Sequence, residues 1–355
     1  MLPVILAIES SCDETCAAVI KNGKILANII ATQSVHKQYG GVVPELASRA
    51  HQQNIIPVVS QALQKAKISK NQLNAVAFTR GPGLLGPLLV GTSFAKAFAL
   101  GLDIPLIEVD HMVAHILANF IPDANLRITD ANIRMNANNT NENRNPKFPF
   151  LCLTVSGGHT QIVLVKDYLE MEIIGETLDD AVGEAFDKAA KLLGLTFPGG
   201  PALDSYAKKG DPVTYSFPDV NVPDLNFSFS GIKTALLYFL KEKSKANPNF
   251  INDNIENICA SYQAALINLL LQKLIKASKK TGITEIAIAG GVSANSGLRK
   301  SLQEGAKKYK WNIYIPALEY CTDNAAMIAM AAHYKFLAGK FTDQRVSADP
   351  RLKIL

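Results

Sequence analysis

His111 and His115 stand four residues apart in the run Asp110-His-Met-Val-Ala-His115. On a helix, positions i and i+4 face the same way with Cβ atoms about 5–6 Å apart, so two imidazoles can close on one metal ion. Zinc peptidases share this spacing but place a glutamate directly after the first histidine as general base. Here that position is Met112. The clamp is present and the peptidase base is missing, which points to a metal that holds a substrate. The alternative is two histidines with unrelated jobs on one helix face. Asp323, in Tyr320-Cys-Thr-Asp-Asn324, is expected to open the last helix, where the dipole stabilises a carboxylate. As a third ligand it completes a two-histidine, one-carboxylate site with open positions.

A second group of residues suits an anion. Ser156, Gly157 and Gly158 sit where a strand turns sharply back, leaving backbone N–H groups free to bind anionic oxygens. Ser10 and Ser11 occupy the equivalent turn near the N-terminus. In Ala289-Gly-Gly-Val-Ser-Ala-Asn295, closely spaced glycines let backbone approach a flat ligand, and Asn295 either caps the following helix or bonds that ligand. Asp187 in Gly183-Glu-Ala-Phe-Asp187, and Asp204 one turn beyond Pro198-Gly-Gly-Pro201, can accept ribose hydroxyls or simply cap helices.

These residues need a scaffold of 355 residues, long enough for two domains. Hydrophobic content of 48% and charged content of 19% describe a globular chain with ample core. No apolar run is expected to reach transmembrane length, and the first residues lack the marks of a signal peptide. Five scattered cysteines, Cys12 and Cys16 among them, read as reduced residues of a cytoplasmic protein. A net charge of +5 permits a nucleic-acid partner without demanding one.

Strands are expected at 4–9, 16–21 and 24–31, with Asn22-Gly23 as a type I′ hairpin turn. A long helix follows over 44–67, kinked by Pro57, then a strand at 75–79, a helix to about residue 102 and a strand at 105–109. The same order returns after residue 150. Strands are expected at 150–155, 161–166 and 171–175, helices at 180–193, 231–241 and 254–280, and a strand at 283–289. A helix at 295–308, a strand at 312–316 and a helix at 323–337 close the chain. Strand-loop-strand-strand-helix-strand-helix, twice, is a duplicated βββαβα architecture. It implies an α/β protein of two lobes with a nucleotide cleft, as in the actin, hexokinase and Hsp70 superfamily (the ASKHA fold). The expected divisions are an N-terminal lobe at 1–122, an Asn-rich connector at 123–147, a C-terminal lobe at 148–340 and a tail at 341–355. The last helix is one that could pack back on the N-terminal lobe.

The motifs together resemble the TsaD family, also called Gcp or YgjD. The resemblance runs from Ile5-Ala-Ile-Glu-Ser-Ser-Cys-Asp-Glu-Thr15 and Gly40-Gly-Val-Val-Pro-Glu-Leu-Ala-Ser-Arg49 through Gly81-Pro-Gly-Leu84 and the histidine pair. It continues in Val155-Ser-Gly-Gly-His-Thr160, Gly183-Glu-Ala-Phe-Asp-Lys188, Phe197-Pro-Gly-Gly-Pro201, Phe227-Ser-Phe-Ser-Gly-Ile-Lys233, Gly290 to Asn295 and Thr322-Asp-Asn324. Only the Asn-rich connector departs from it. The resemblance implies a tRNA N6-adenosine threonylcarbamoyltransferase. Such an enzyme moves the threonylcarbamoyl group of threonylcarbamoyl-AMP to N6 of the adenosine just 3′ of the anticodon in tRNAs reading ANN codons, forming t6A. It also implies one Fe(2+) or Zn(2+) on His111, His115 and Asp323, and adenylate binding by Thr154, Val155, Ser156, Gly157, Gly158, Asp187, Gly200, Asp204 and Asn295. The implied partners are tRNA, the paralogue TsaB and the ATPase TsaE, with TsaC supplying the adenylate, and no membrane. Asp13 or Glu14, on the loop opposite the Ser156 turn, is the candidate proton acceptor from N6. The expected TsaB contact is the helix from Pro44, through apolar residues such as Ile55, Ile56 and Val59.

Three rival readings are a metalloprotease of the O-sialoglycoprotein endopeptidase kind, an ASKHA small-molecule kinase and a non-catalytic actin- or chaperone-like module, which would have no need of a transition-metal site. Met112 argues against the first. A histidine clamp is a poor Mg²⁺ site, which argues against the second.

Overall fold

The structure, a computed structural model, describes residues 3–122, 145–220 and 222–354. Most of the Asn-rich connector, residues 123–144, therefore lies outside the described residues. The chain forms two compact units. One comprises Met1–Pro146, Lys166–Met171 and Pro316–Leu355; the other comprises Lys147–Val165 and Glu172–Ile315.

The first unit is built on strands β1 (Val4–Glu9), β2 (Glu14–Lys21), β3 (Lys24–Thr32), β4 (Ala75–Gly81) and β5 (Leu106–Asp110), with helices α1 (Pro44–Ala66), α2 (Leu85–Leu102) and α3 (His111–Leu117). The sheet order is β3-β2-β1-β4-β5. β1 pairs antiparallel with β2 and parallel with β4, and β4 pairs parallel with β5. β1 is buried along its whole length, which explains its unbroken run Val-Ile-Leu-Ala-Ile before Glu9. Val4, Leu6 and Ile8 share a core with Ile55, Val58 and Val59 of α1 and Ala95 and Ala99 of α2. The β2–β3 turn has Asn22 and Gly23 both at positive φ, as the Asn-Gly pair requires. α1 runs on through Pro57.

The second unit holds β6 (Phe150–Val155), β7 (Thr160–Asp167), β8 (Glu170–Glu176), β9 (Glu285–Ala289) and β10 (Asn312–Tyr314). Around them lie α4 (Val182–Leu192), α5 (Gly199–Ala207), α6 (Ser230–Ala246), α7 (Phe250–Thr281) and α8 (Ser296–Tyr309). Read from β8, the order is β8-β7-β6-β9-β10, which repeats the first sheet strand for strand. β6 is antiparallel to β7 and parallel to β9, as β1 is to β2 and β4. The duplicated mixed α/β architecture is therefore present in both units. α5 was not among the expected helices, because Gly199-Gly-Pro201 at its start reads as a turn.

The last helix, α9 (Ala325–Leu337), packs on β1, β2 and α3 within the first unit. Its first nine residues are all buried, and seven of them are alanine or methionine. Division by sequence order at residue 340 therefore differs from the compact units, where Pro316–Leu355 joins the first. The physical reason is that this helix finds its apolar cover on the first sheet.

A second difference concerns membranes. Against the expectation of no apolar run of spanning length, α2 and α7 are each long and apolar enough to cross a bilayer by length and composition. α7 nonetheless buries 67% of its most apolar window inside the protein. α2 buries 33%, and its exposed side is taken up below.

Candidate metal centre and nucleotide loops

Strand β5 ends on Asp110, whose carboxylate accepts the backbone N–H groups of Met112 at 2.8 Å and Val113 at 3.0 Å. That N-cap starts α3 on His111 itself and is worth about 1 kcal/mol. One turn later comes His115. Asp323 does not open α9: it lies two residues before Ala325, with Asn324 as the N-cap accepting from Met327 N–H. Because α3 packs on α9, the loop before α9 delivers the carboxylate to the two histidines.

The three donors converge. His115 Nε2 lies 3.2 Å from His111 Nε2 and 3.2 Å from Asp323 Oδ1, and His111 Nε2 lies 3.4 Å from the same oxygen. Four tetrahedral ligands about 2.0–2.2 Å from one metal ion stand about 3.4 Å from each other, so the spacing fits one ion. The donor set of two imidazoles and a carboxylate suits iron or zinc better than magnesium. Each histidine is buried and Asp323 is half-buried, leaving a solvent side for a substrate atom.

Behind the donors sits Glu9, fully buried at the end of β1. It accepts from His111 Nδ1 at 3.1 Å, from Thr79 Oγ1 and from the backbone N–H of Ser11. A carboxylate on Nδ1 fixes the tautomer that presents Nε2 as a ligand. Burial alone would keep His111 neutral, but Asp323 and Glu9 outweigh it and hold its pKa well above the usual value. Burial would likewise raise Glu9 and Asp323; the charge of His111 reverses the sign for both. His115 is pushed down, chiefly by burial, and its Nδ1 is buried without a hydrogen-bond partner among the described residues. Two carboxylates against two histidines make a pocket that favours positive charge.

The candidate bases lie at the start of β2 and just before it. Burial, Asp323 and Asp13 together push the Glu14 carboxyl up to about 9, so it holds its proton at neutral pH unless a cation lies nearby.

In the second unit, Val155 ends β6 and the chain turns through Ser156, Gly157 and Gly158. Ser156 N–H donates to the His159 carbonyl at 2.8 Å, and His159 N–H donates to Ser156 Oγ at 3.0 Å. Both glycines are exposed, with open space where a Cβ would point. Two further glycines press on this turn. A Cβ on Gly183 would lie 2.5 Å from the Ser156 carbonyl oxygen, and one on Gly290 2.5 Å from that of Val155. The turn, the start of α4 and the segment 290–295 are thus in backbone contact.

Asp187 Oδ1 accepts the Gly200 N–H at 3.0 Å and so caps α5, whose own N-cap, Pro198, makes no side-chain cap. Asp204 accepts from Ser296 Oγ at 2.7 Å, tying α5 to α8. Asn295 caps α8 through Leu298 N–H and donates to Gln263 Oε1 at 2.7 Å. Thr154 Oγ1 donates to the Gln161 carbonyl. All four polar residues thus make the capping or packing bonds that their positions allow. Beside them, Gln161 Oε1 and Ser293 Oγ are buried without a partner among the described residues.

Glu9 escaped the sequence reading as a metal-site residue, although a lone carboxylate closing an all-apolar strand is a visible signal. Asp179 and Asp180 escaped it too. Asp179 accepts from Ser228 Oγ, Ser230 Oγ and Phe229 N–H, and Asp180 pairs with Lys188 and Lys233. They anchor the Phe227 to Lys233 motif beside α4.

A profile of the TsaD family, described as tRNA N6-adenosine threonylcarbamoyltransferase, matches residues 24–135 and 129–330. The chain belongs to the TsaD family. A tRNA N6-adenosine threonylcarbamoyltransferase of Christiangramia forsetii is 59% identical over 349 residues, covering 98% of both chains. One of Cytophaga hutchinsonii is 58% identical over 354 residues, covering 100% of this chain and 97% of the relative. Among solved structures, full-length HypF in a phosphate- and nucleotide-bound form aligns with a TM-score of 0.59 at 14% identity, over 94% of this chain and 46% of that one. HypF of T. kodakarensis gives 0.58 at 15% identity, over 97% and 49%. These likenesses bear on the fold alone, and they match the two-lobed ASKHA architecture. As a member of the TsaD family the chain is a transferase.

Proposed function

We propose that this protein transfers the threonylcarbamoyl group of threonylcarbamoyl-AMP to N6 of the adenosine just 3′ of the anticodon in tRNAs reading ANN codons, releasing AMP. The observation that carries this reading is the convergence of His111, His115 and Asp323, backed by Glu9, in a chain of the TsaD family. An exocyclic adenine amine is a poor nucleophile, so its electrophile must be activated and held. Bound Fe(2+) or Zn(2+) would supply Lewis-acid polarisation of a carbonyl oxygen. His111, His115 and Asp323 would hold it, and Glu9 would keep His111 in the ligating tautomer. The Ser156, Gly157 and Gly158 turn offers backbone amides to the leaving phosphate, and Asp187, Gly200, Asp204 and Asn295 line the adenylate site with Thr154 and Val155. Asp13, with Glu14 next to it, takes the proton lost from N6.

The test supplies threonylcarbamoyl-AMP and an unmodified tRNA transcript to the protein with its partner set and analyses the nucleosides. t6A with stoichiometric AMP is expected. Peptide cleavage, or phosphate transfer from ATP to a small molecule, with no t6A would overturn the reading.

We also propose a cytoplasmic location and work alongside TsaB, TsaE and TsaC, following the family resemblance. The expected TsaB face on α1 needs correction. Ile55 and Val59 are 4% exposed and belong to the sheet core, and only Ile56, at 65%, faces outward. α2 is the better candidate. Leu85, Leu89, Ser93, Ala97 and Leu100 form its exposed stripe, and its one charged residue, Lys96, is tied to the Val346 carbonyl. An uncharged exposed stripe suits a partner helix. Leu85→Asp with Leu89→Asp should abolish co-purification with TsaB and lower t6A formation while leaving the monomer's Tm within a few degrees. Retained association would remove α2 from the interface.

A further inference from the structure

The basic character of this chain is concentrated in one place. Residues 276–310 carry eight lysines and arginines against two glutamates, whereas the whole chain has a net charge of +5, so the remainder is close to neutral. This segment is the end of α7, β9 and α8. Its two helix ends meet: Trp311, just past α8, donates from Nε1 to Ser278 Oγ near the end of α7 at 2.9 Å. Lys279 and Lys280 therefore emerge beside Lys307, Lys308 and Lys310, and all five are exposed. None has a side-chain ion pair or hydrogen bond among the described residues. Of the two glutamates, Glu285 is occupied by Asn312 Nδ2 and by Tyr314 Oη at 2.6 Å, which leaves Glu304 as the segment's one other acid. Tyr309 sits among them, with Lys308 Nζ 5.4 Å from its ring centre and the Trp311 ring tilted against it at 5.0 Å.

Helix dipoles favour a lysine at each C-terminus. They do not call for two such ends side by side, five free ammonium groups and a half-buried aromatic between them. Ammonium groups on flexible stems around an aromatic suit a polyphosphate backbone, where they displace condensed counterions.

We propose that Lys279, Lys280, Lys307, Lys308 and Lys310 form a docking surface for the phosphodiester backbone of tRNA. The proposal rests on the reading of the protein as a tRNA-modifying transferase and names where it grips its substrate. Such a surface positions the tRNA without reading its sequence.

The test changes Lys279, Lys280, Lys307 and Lys308 to glutamine together, and in a second variant to arginine. A control neutralises four exposed lysines of the first unit, Lys21, Lys24, Lys70 and Lys340. Each protein is assayed in its full assembly for tRNA affinity by fluorescence anisotropy across a salt series, and for t6A formation. For the glutamine variant we expect tRNA Kd and KM to rise at least about tenfold and the salt slope to fall by about 2–3, since each phosphate contact contributes about 0.7–0.9. Turnover number, the KM for threonylcarbamoyl-AMP and the Tm should hold. Arginine should restore binding, and the control should match wild type. An unchanged Kd and slope, a control that falls equally, or binding of the lysines to phosphatidylglycerol vesicles with no effect on tRNA would overturn the surface. A wild type that binds tRNA through these lysines but makes no t6A would overturn the activity and leave the surface standing.

Discussion

His115→Ala should remove the bound transition metal and lower threonylcarbamoyl transfer by at least about a thousandfold, equivalent to about 4 kcal/mol of transition-state stabilisation. The fold should survive, because His115 holds no buried charge: burial pushes its pKa down and it is neutral at pH 7. His111→Ala should lose the metal equally but behave differently as a folded protein. It strands Glu9, fully buried and without its imidazole partner, and removing one member of a buried pair costs about 3–5 kcal/mol. Glu9→Gln should fall between, keeping an acceptor for Nδ1 while weakening metal binding by about 10–100-fold. Metal analysis on untagged protein, thermal unfolding and the t6A assay separate the three. Equal Tm losses in the two histidine variants, or a full complement of metal in His115→Ala, would contradict this account of the site.

The histidine pair and the glycine turns were legible in the sequence because their signals are local. An i,i+4 spacing, a strand ending in Ser-Gly-Gly and a repeated element order need no tertiary information. Asp323 was legible as a type of residue, but its place just before α9 depends on Asn324 winning the cap. What the sequence hid was set by packing across distance. α9 reads as the end of the second lobe by order, and its return to the first lobe, left open by the sequence, is decided by its packing on β1, β2 and α3. Ile55 and Ile56 are indistinguishable in type, and the phase of α1 on the sheet alone decides that one is core and the other surface. Glu9 closes the argument from the other side. Its burial is dictated by the strand it ends, and the histidine 102 residues later supplies the charge that, with bonds from Thr79 and Ser11, makes that burial tolerable.

Gly290→Ala should damage the nucleotide site and spare the metal site. Gly290 has φ +88° and ψ 166°, a region that is essentially glycine-only and costs any other residue about 1–3 kcal/mol. The added Cβ would also lie 2.5 Å from the Val155 carbonyl oxygen and 2.9 Å from its carbon. Both are main-chain atoms of a buried strand end, so no rotamer change relieves the clash. The relief must come from moving segment 290–295 or the turn at Ser156, which are the parts proposed to receive the adenylate. AMP binding should weaken by about a hundredfold, near 2.7 kcal/mol, with a lower Tm and unchanged metal content. Gly291→Ala is the matched control, since a Cβ there meets nothing within 4 Å and its φ is not positive. If Gly290→Ala loses Tm but binds AMP as wild type does, the 290–295 segment is scaffold and the adenylate sits elsewhere. If Gly291→Ala loses binding to the same degree, the strain at Gly290 is not the cause.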